Sequence, residues 1–325
     1  MTAKHSPLQI FCLAVNLVVV ALTTVVTFTI LARQYHFQEA IPGLFRNDLE
    51  AVAEAQPSPI SPPAWIHCAW GVILVWQLVW AIHGLVSIFR TTYGFPVYTN
   101  PVLLPPLMLV IVMFACGFNV SWFILYDRLY TSTSCLFICL MVVTAWTAYA
   151  LSLSALNFNY YRLQKTGMES EICVTRLLVQ NGLAAYAMWG VFVLAFNATV
   201  ALIHNTNTHM AGDIAVIVAV LVIGCTQLIY LVVDVTCLDS YSRYIVTPYF
   251  IPIVVLAACL FRQDVWFSTD INFVLLTVLL AFAFLSLMLK SAWATYKIIR
   301  HTSGGGDISG SGPSSPVNES YYLLK

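Results

Sequence analysis

Long apolar runs separated by short polar segments fill most of this chain. Eight runs are present, at residues 8–32, 64–89, 101–126, 133–157, 174–203, 212–238, 245–261 and 271–299. A helix needs about 20 mainly apolar residues to cross the hydrocarbon core of a bilayer, and each run reaches or approaches that length. Because backbone groups in lipid must form their hydrogen bonds within the segment, the runs are predicted to be helices. The pattern therefore predicts an all-α, polytopic membrane bundle with eight transmembrane helices.

Composition and charge agree with this prediction. The chain is 60% hydrophobic and 9% charged, whereas a soluble domain has about 25% charged residues. The formal net charge is +0, which gives no indication of a nucleic-acid partner. With eight crossings, nine Lys and Arg residues lie on the side of the two termini and four on the other side. The positive-inside rule then predicts cytosolic termini, unless the short seventh run is re-entrant.

The chain divides into four predicted parts. Residues 1–7 form a cytosolic N-terminus, and residues 8–204 form a first group of five helices with a non-cytosolic loop at 33–63. Residues 205–301 add three further helices, and the Gly/Ser/Pro-rich residues 302–325 form a disordered cytosolic tail. Within the long loop, good helix formers at 48–55 precede four prolines. This composition is compatible with two interpretations, a simple connector or a small cap followed by a stiff connection into the second helix.

The tail carries two overlapping motifs that exclude each other. Glu319, Tyr321, Leu323 and Leu324 lie in a segment that resembles acidic dileucine and tyrosine-based sorting signals. A cytosolic tail would present them to sorting adaptors, in an endomembrane, endolysosomal or plasma-membrane location. The sequon that begins at Asn318 would instead be usable only on a lumenal tail.

Tryptophan and amide side chains occur together in three of the predicted helices. They are Trp65 and Trp70 in the second helix, Asn119 and Trp122 in the third, and Tyr186, Trp189 and Asn197 in the fifth. Ordinary helix packing and an interfacial aromatic belt are one interpretation. The other is an aromatic, sparsely polar cavity for a flat hydrophobic small molecule.

These residues resemble the pattern of the TspO/MBR family of tryptophan-rich sensory and translocator proteins. The resemblance includes the Pro-rich loop before Trp65 and the Trp70-Gly71-Val72 segment, and it covers about residues 8–204. It implies a five-helix bundle whose first loop covers a pocket for a porphyrin, haem-like or sterol-like ligand. The three additional helices suggest a longer, animal-type branch of that family.

The last three predicted helices hold Asp234, Asp239, Arg243 and Lys290. Charges inside a bilayer are costly, and they are usually paired or functional. Their depth predicts an Asp234–Lys290 pair, and four-residue spacing predicts an Asp239–Arg243 pair. These residues support an alternative function, a small-solute or proton-coupled transporter. A third interpretation places them at the interface, with Lys290 extending to the headgroups.

Other classes of function receive less support from the sequence. The sequence contains no metalloprotease motif, no hydrolase motif, and no Cys and His residues at zinc-site spacing. It therefore predicts neither an enzyme nor a metal-binding protein. Small residues in the fifth helix, Gly182, Ala184 and Ala185, favour close helix contact. Their partner could be another helix of this chain or the second subunit of a homodimer.

Overall fold

The computed structural model describes residues 5–92, 94–204, 210–236, 238–262 and 270–303. Its six long continuous helices are α1 Pro7–Gln34, α3 Cys68–Val86, α4 Pro106–Asp127, α5 Thr131–Lys165, α8 Gly212–Thr236 and α11 Ile271–Ser303. A seventh begins as α6, Glu169–Val174, continues through a π-helical turn, Thr175–Gln180, and ends as α7, Asn181–His204. All seven are long and apolar enough to cross a membrane, so the multi-pass prediction is confirmed.

The seventh apolar run forms a shorter helix than the others. Helix α10, Thr247–Arg262, has 16 residues and contains Pro252, whereas about 20 residues are needed to span the hydrocarbon core. Its first residue, Thr247, donates its hydroxyl to the carbonyl of Asn181 at the start of α7. Its last residue, Arg262, donates to the carbonyl of Pro62, near the end of the long first loop.

The remaining elements are short. Helix α2, Leu49–Ala55, lies in the first loop, and a 3₁₀ turn at Ala64–His67 leads into α3. Strands β1, Thr91–Thr92, and β2, Phe95–Pro96, form a two-stranded antiparallel hairpin. Helix α9, Asp239–Ser242, joins α8 to α10.

Two helix boundaries differ from the sequence prediction. Helix α4 begins at Pro106 and not at residue 101, because Pro105 and Pro106 lack the backbone N–H groups that would bond to residues 101 and 102 in a helix with the earlier start. Helix α5 continues to Lys165, well beyond residue 157. Its last two turns are polar, so a criterion of apolar run length does not include them.

The helices pack as two rings that share α7. Helices α1, α4, α5, α7 and α3 each contact the next, and α3 returns to α1. On the other side of α7, helices α8, α11 and α10 complete a second ring. The continuous helix that ends as α7 belongs to both rings. For this reason 72% of its most apolar stretch is buried, compared with 28–44% of the corresponding stretch in each of the other six long helices.

Small residues allow α7 to approach its neighbours on opposite sides. A Cβ added at Gly182 would lie 3.1 Å from Trp76 of α3, and one added at Gly190 would lie 2.8 Å from Met141 of α5. Ala184 and Ala185 are also buried. Both glycines therefore contact helices of the same chain, and the predicted homodimer stays a prediction.

Candidate functional site

An aromatic cavity lies between the first loop and the bundle. We call residues 35–63 the lid, and the end of the bundle beneath them the lid end. Elements from both rings line the cavity: Leu49, Ala53, Ser58, Ser61, Pro62, Ile66, His67, Trp70, Trp122, Tyr126, Trp189, Phe192, Val193, Phe196, Asn197, Val200 and Val255. The lid forms one wall, and helices α3, α4, α7 and α10 form the rest.

Three tryptophans from three helices form the centre of this wall. The Trp70 ring of α3 stacks on Trp122 of α4, with centroids 4.9 Å apart and planes at 22°. Trp189 of α7 meets Trp70 edge-on at 5.8 Å. Tyr126, one turn after Trp122 on α4, stacks on it at 5.0 Å. Offset-stacked and edge-on pairs are favourable arrangements, so the rings form a continuous, rigid apolar surface.

The polar groups of the wall differ in whether they are already paired. Both amide atoms of Asn197 lie 2.9 Å from Ser134 Oγ on α5. Among the described residues, the buried indole nitrogens of Trp70, Trp122 and Trp189 have no hydrogen-bond partner. Three donors of one chemical type are therefore left unpaired around a single cavity.

The structure brings together four of the seven predicted ligand-binding residues: Trp70, Trp122, Trp189 and Asn197. Trp65 is 54% exposed, because the 3₁₀ turn directs it outward. Asn119 and Tyr186 are buried one helical turn further from the lid than Trp122 and Trp189, and they do not line the cavity.

The first half of the lid is held by the last residue of α4. Asp127 is 1% exposed, and its Oδ1 accepts hydrogen bonds from the backbone N–H groups of Arg46, at 2.9 Å, and Asn47, at 2.7 Å. The Asn47 amide in turn donates to the Asp127 carbonyl at 2.7 Å. Immediately afterwards Asp48 caps α2 by accepting from Ala51 N–H at 2.6 Å. The acidic stretch predicted to be helical thus begins at a fixed position.

The second half of the lid is held by the helices of the second ring. His204 Nε2, at the end of α7, donates to the Pro57 carbonyl at 2.9 Å. Arg262 Nη1, at the end of α10, donates to the Pro62 carbonyl at 2.6 Å. Because a proline-rich segment forms no regular backbone pairing, its carbonyl oxygens remain free to accept such bonds. A Cβ at Gly212 would lie 3.2 Å from Pro59, so α8 also contacts this segment.

A tyrosine hydroxyl bonds across the hinge between α1 and the lid. Tyr35 donates to the Ala64 carbonyl at 3.3 Å and accepts from the Cys68 thiol at 3.4 Å. Partial burial and the bond with Cys68 raise the pKa of Tyr35 to about 12. The hydroxyl therefore keeps its proton and its bond to Ala64 throughout the physiological pH range.

The size of the cavity limits what it can hold with the lid in this position. Its volume is about 70 Å³, which is enough for a few water molecules but well below the 300–1,000 Å³ of common small-molecule sites. A porphyrin or haem macrocycle does not fit this volume, and a bulky ligand requires the lid to move. His67 lines the cavity, and its Nδ1 lies 3.5 Å from the Gln34 amide nitrogen.

A second polar cluster lies at the other end of the bundle. Lys290 Nζ of α11 is 2.7 Å from Asp234 Oδ2 of α8, as predicted from their depth. The two side chains are 2% and 0% exposed, so Lys290 does not extend to the headgroups. Ser242 and Tyr249 both donate to the Asp234 carboxylate, and Lys290 also donates to the Ser242 carbonyl at 3.2 Å. Both carboxylate oxygens are therefore paired.

Two sets of predicted residues lie partly or wholly outside the described part of the chain. The side chain of Asp239 is outside it, so the expected ion pair between Asp239 and Arg243 remains a prediction. The sorting motif of Glu319, Tyr321, Leu323 and Leu324 lies outside the described residues as well.

Sequence reasoning did not identify Asp127, His204 or Arg262 as functional residues. Each of the three residues ends a helix at the lid end. The sequence feature that could have identified them is a charged or polar residue at the end of an apolar run.

No family model, no curated protein and no solved structure matches this chain.

Proposed function

We propose that this multi-pass membrane protein binds a hydrophobic small molecule in the aromatic cavity beneath the lid. The observation that carries the proposal is the convergence of Trp70, Trp122 and Trp189 on one cavity at the lid end of the bundle. A pocket lined by aromatic rings with a few polar groups suits such a ligand. No catalytic residue is part of the proposal.

The lid contacts give the proposal a mechanism of access. Since the cavity is small with the lid in place, the structure corresponds to a closed form. Ligand binding would then require the bonds from His204 and Arg262 to the proline segment to open. Helices α7 and α10 would thereby control access to a pocket built largely by the first five helices.

The resemblance to the TspO/MBR family belongs to the same proposal. The closed ring of α1, α3, α4, α5 and α7 supports a five-helix bundle of that kind. Sterol-like ligands remain candidates for an open form. The cavity gives less support to porphyrin or haem, because its volume would have to increase several-fold.

The proposed topology has eight crossings and cytosolic termini. Contacts of α10 at both ends of the bundle support a crossing by this short helix. More Lys and Arg residues lie on the side of the membrane that holds the two chain termini than on the other side. This excess supports cytosolic termini. Sorting adaptors and an endolysosomal or plasma-membrane location would follow from a cytosolic tail.

The alternative function, proton-coupled or small-solute transport through Asp234, Asp239, Arg243 and Lys290, has weaker support. Asp234 and Lys290 form a paired, buried cluster. Neither lines the aromatic cavity. A fully paired ion pair is sufficient to explain these two charges as a structural connection among α8, α10 and α11.

Tryptophan fluorescence tests the binding proposal directly. In nanodiscs, 2-acetylnaphthalene and cholesterol are titrated against the protein and against empty discs, with cholesterol measured by competition. We expect saturable quenching by the naphthalene that is weakened at least about tenfold in a Trp122→Leu/Trp189→Leu variant, since each aromatic contact is worth roughly 1 kcal/mol beyond its burial.

The matched control is Trp65→Leu/Trp293→Leu, which removes the same number of indoles outside the cavity. This variant should retain the affinity of the natural protein. Equal loss of affinity in both variants, or no saturable quenching in a folded protein, would contradict the proposed site.

Opening of the lid can be measured without any ligand. Arg262→Gln removes the charged donor to Pro62, and bonds to charged groups contribute about 1.5–3 kcal/mol. In this variant a cysteine at the cavity position, Ala53→Cys, should react with a maleimide roughly tenfold faster, as measured by peptide mass spectrometry. Arg46→Gln is the control, because this exposed lid residue bonds through its backbone. Equal rates in the two variants would show that Arg262 does not hold the lid.

A further inference from the structure

The unpaired groups around the aromatic cavity are hydrogen-bond donors. Trp70, Trp122 and Trp189 each have a buried indole nitrogen without a partner in the described part of the chain. The side chains of all three line the cavity, and with the lid in this position their nitrogens lie within the wall, so an acceptor would reach them as the lid moves. An indole N–H can only donate. Leaving a buried donor unpaired costs about 1–3 kcal/mol, so three of them at one cavity indicate an acceptor that enters from outside.

Two of the other polar groups of the wall are already engaged. The amide oxygen of Asn197 already bonds with Ser134. Ser61 donates to the Ser58 carbonyl at 3.2 Å. Among the described residues, no Asp or Glu side chain lines the cavity, so the wall offers no negative charge to a cationic ligand.

From these observations we infer that the ligand carries an acceptor oxygen, a carbonyl or carboxylate, which bonds to the indole N–H groups of the cavity. The inference rests on the proposed binding function and specifies the ligand class within it. The apolar part of the ligand lies against the stacked rings of Trp70 and Trp122. A saturated or purely aromatic hydrocarbon of the same shape would leave the indole donors unpaired.

Two probes of nearly equal shape separate recognition of the oxygen from apolar burial. They are 2-acetylnaphthalene, which has a carbonyl oxygen, and 2-isopropylnaphthalene, which has a methyl group in place of that oxygen. The acetyl compound is expected to bind about tenfold more tightly, the effect of one satisfied buried hydrogen bond. In a Trp122→Phe/Trp189→Phe variant, which keeps aromatic rings but removes two donors, this preference should fall to about twofold or less.

Indole N–H resonances of the labelled protein in nanodiscs report the bond itself. The acetyl compound should shift the proton of at least one cavity indole downfield, and the isopropyl compound should not. Trp76 provides the internal control: its nitrogen is also buried and unpaired, but it packs beside Gly182 and not at the cavity. Its resonance should move with neither compound.

The outcomes distinguish the inference from the function on which it rests. Saturable binding of both probes with equal affinity, and no downfield indole shift, would overturn the acceptor inference while leaving the pocket in place. Absence of saturable binding by either probe, in a protein shown to be folded, would overturn the proposed function itself. Preferential acetyl binding that persists in the double Phe variant would also overturn the inference.

Discussion

Replacing Lys290 with methionine is expected to destabilise the protein by about 3–5 kcal/mol, the usual cost of breaking a buried ion pair. Asp234 is 0% exposed and lies 2.7 Å from the ammonium group. Without Lys290, its charge would remain inside the bundle with only the hydroxyls of Ser242 and Tyr249 as partners. The free energy of unfolding, measured by denaturant titration in mixed micelles, tests this expectation.

The double variant Asp234→Asn/Lys290→Met should recover most of the lost stability. It removes both charges but keeps an amide that can bond with Ser242 and Tyr249. Lys297→Met serves as the matched control, because it changes the same residue type two turns later on α11 at a partly exposed position. Stability of Lys290→Met equal to that of the natural protein would mean that Asp234 does not need its cation.

A proton pathway would respond differently to the same variants. The double variant would regain stability but lose any pH-dependent flux, since neither remaining side chain titrates. Restored stability with no such flux in the natural protein either would identify the pair as a structural connection. The two roles can therefore be separated with one set of proteins.

The helices could be predicted from sequence because they follow from the solvent. An apolar run in lipid must satisfy its own backbone, so the position of each long helix is visible in the pattern. The ends are less visible: α4 starts late because prolines precede it, and α5 ends late because its last turns are polar. The length of an apolar run predicts the part of a helix that lies in the bilayer. It does not predict where the whole helix begins and ends.

The candidate site was predictable only in part for a related reason. Helical position identified Trp70, Trp122 and Trp189, but it did not show that Asn119 and Tyr186 lie one turn too deep to line the cavity. The lid contacts of His204 and Arg262 join residues 147 and 200 positions apart in the chain. No local pattern encodes such distances, since they depend on how the second ring packs on α7.

Asp127→Ala is expected to release the first half of the lid. The substitution removes the carboxylate that accepts from the backbone of Arg46 and Asn47, and each such charge-assisted bond contributes about 1.5–3 kcal/mol. Because these bonds hold the chain immediately before α2, amide hydrogen exchange across residues 46–56 should become roughly 30-fold faster or more. The exchange rates of α4 and α7 should change much less.

Two further variants show whether the charge or the geometry of Asp127 holds the lid. Asp127→Asn keeps an acceptor oxygen without the charge, so its exchange should be intermediate. Glu50→Ala removes a carboxylate from the exposed side of α2 and should leave exchange near that of the natural protein. If Asp127→Ala behaved like Glu50→Ala, the lid would be held by its apolar contacts, such as Phe45 against Phe123. In that case the bonds at Pro57 and Pro62, together with those of Arg33 to Glu39 and to the Arg46 carbonyl, would be the polar contacts that limit access to the cavity.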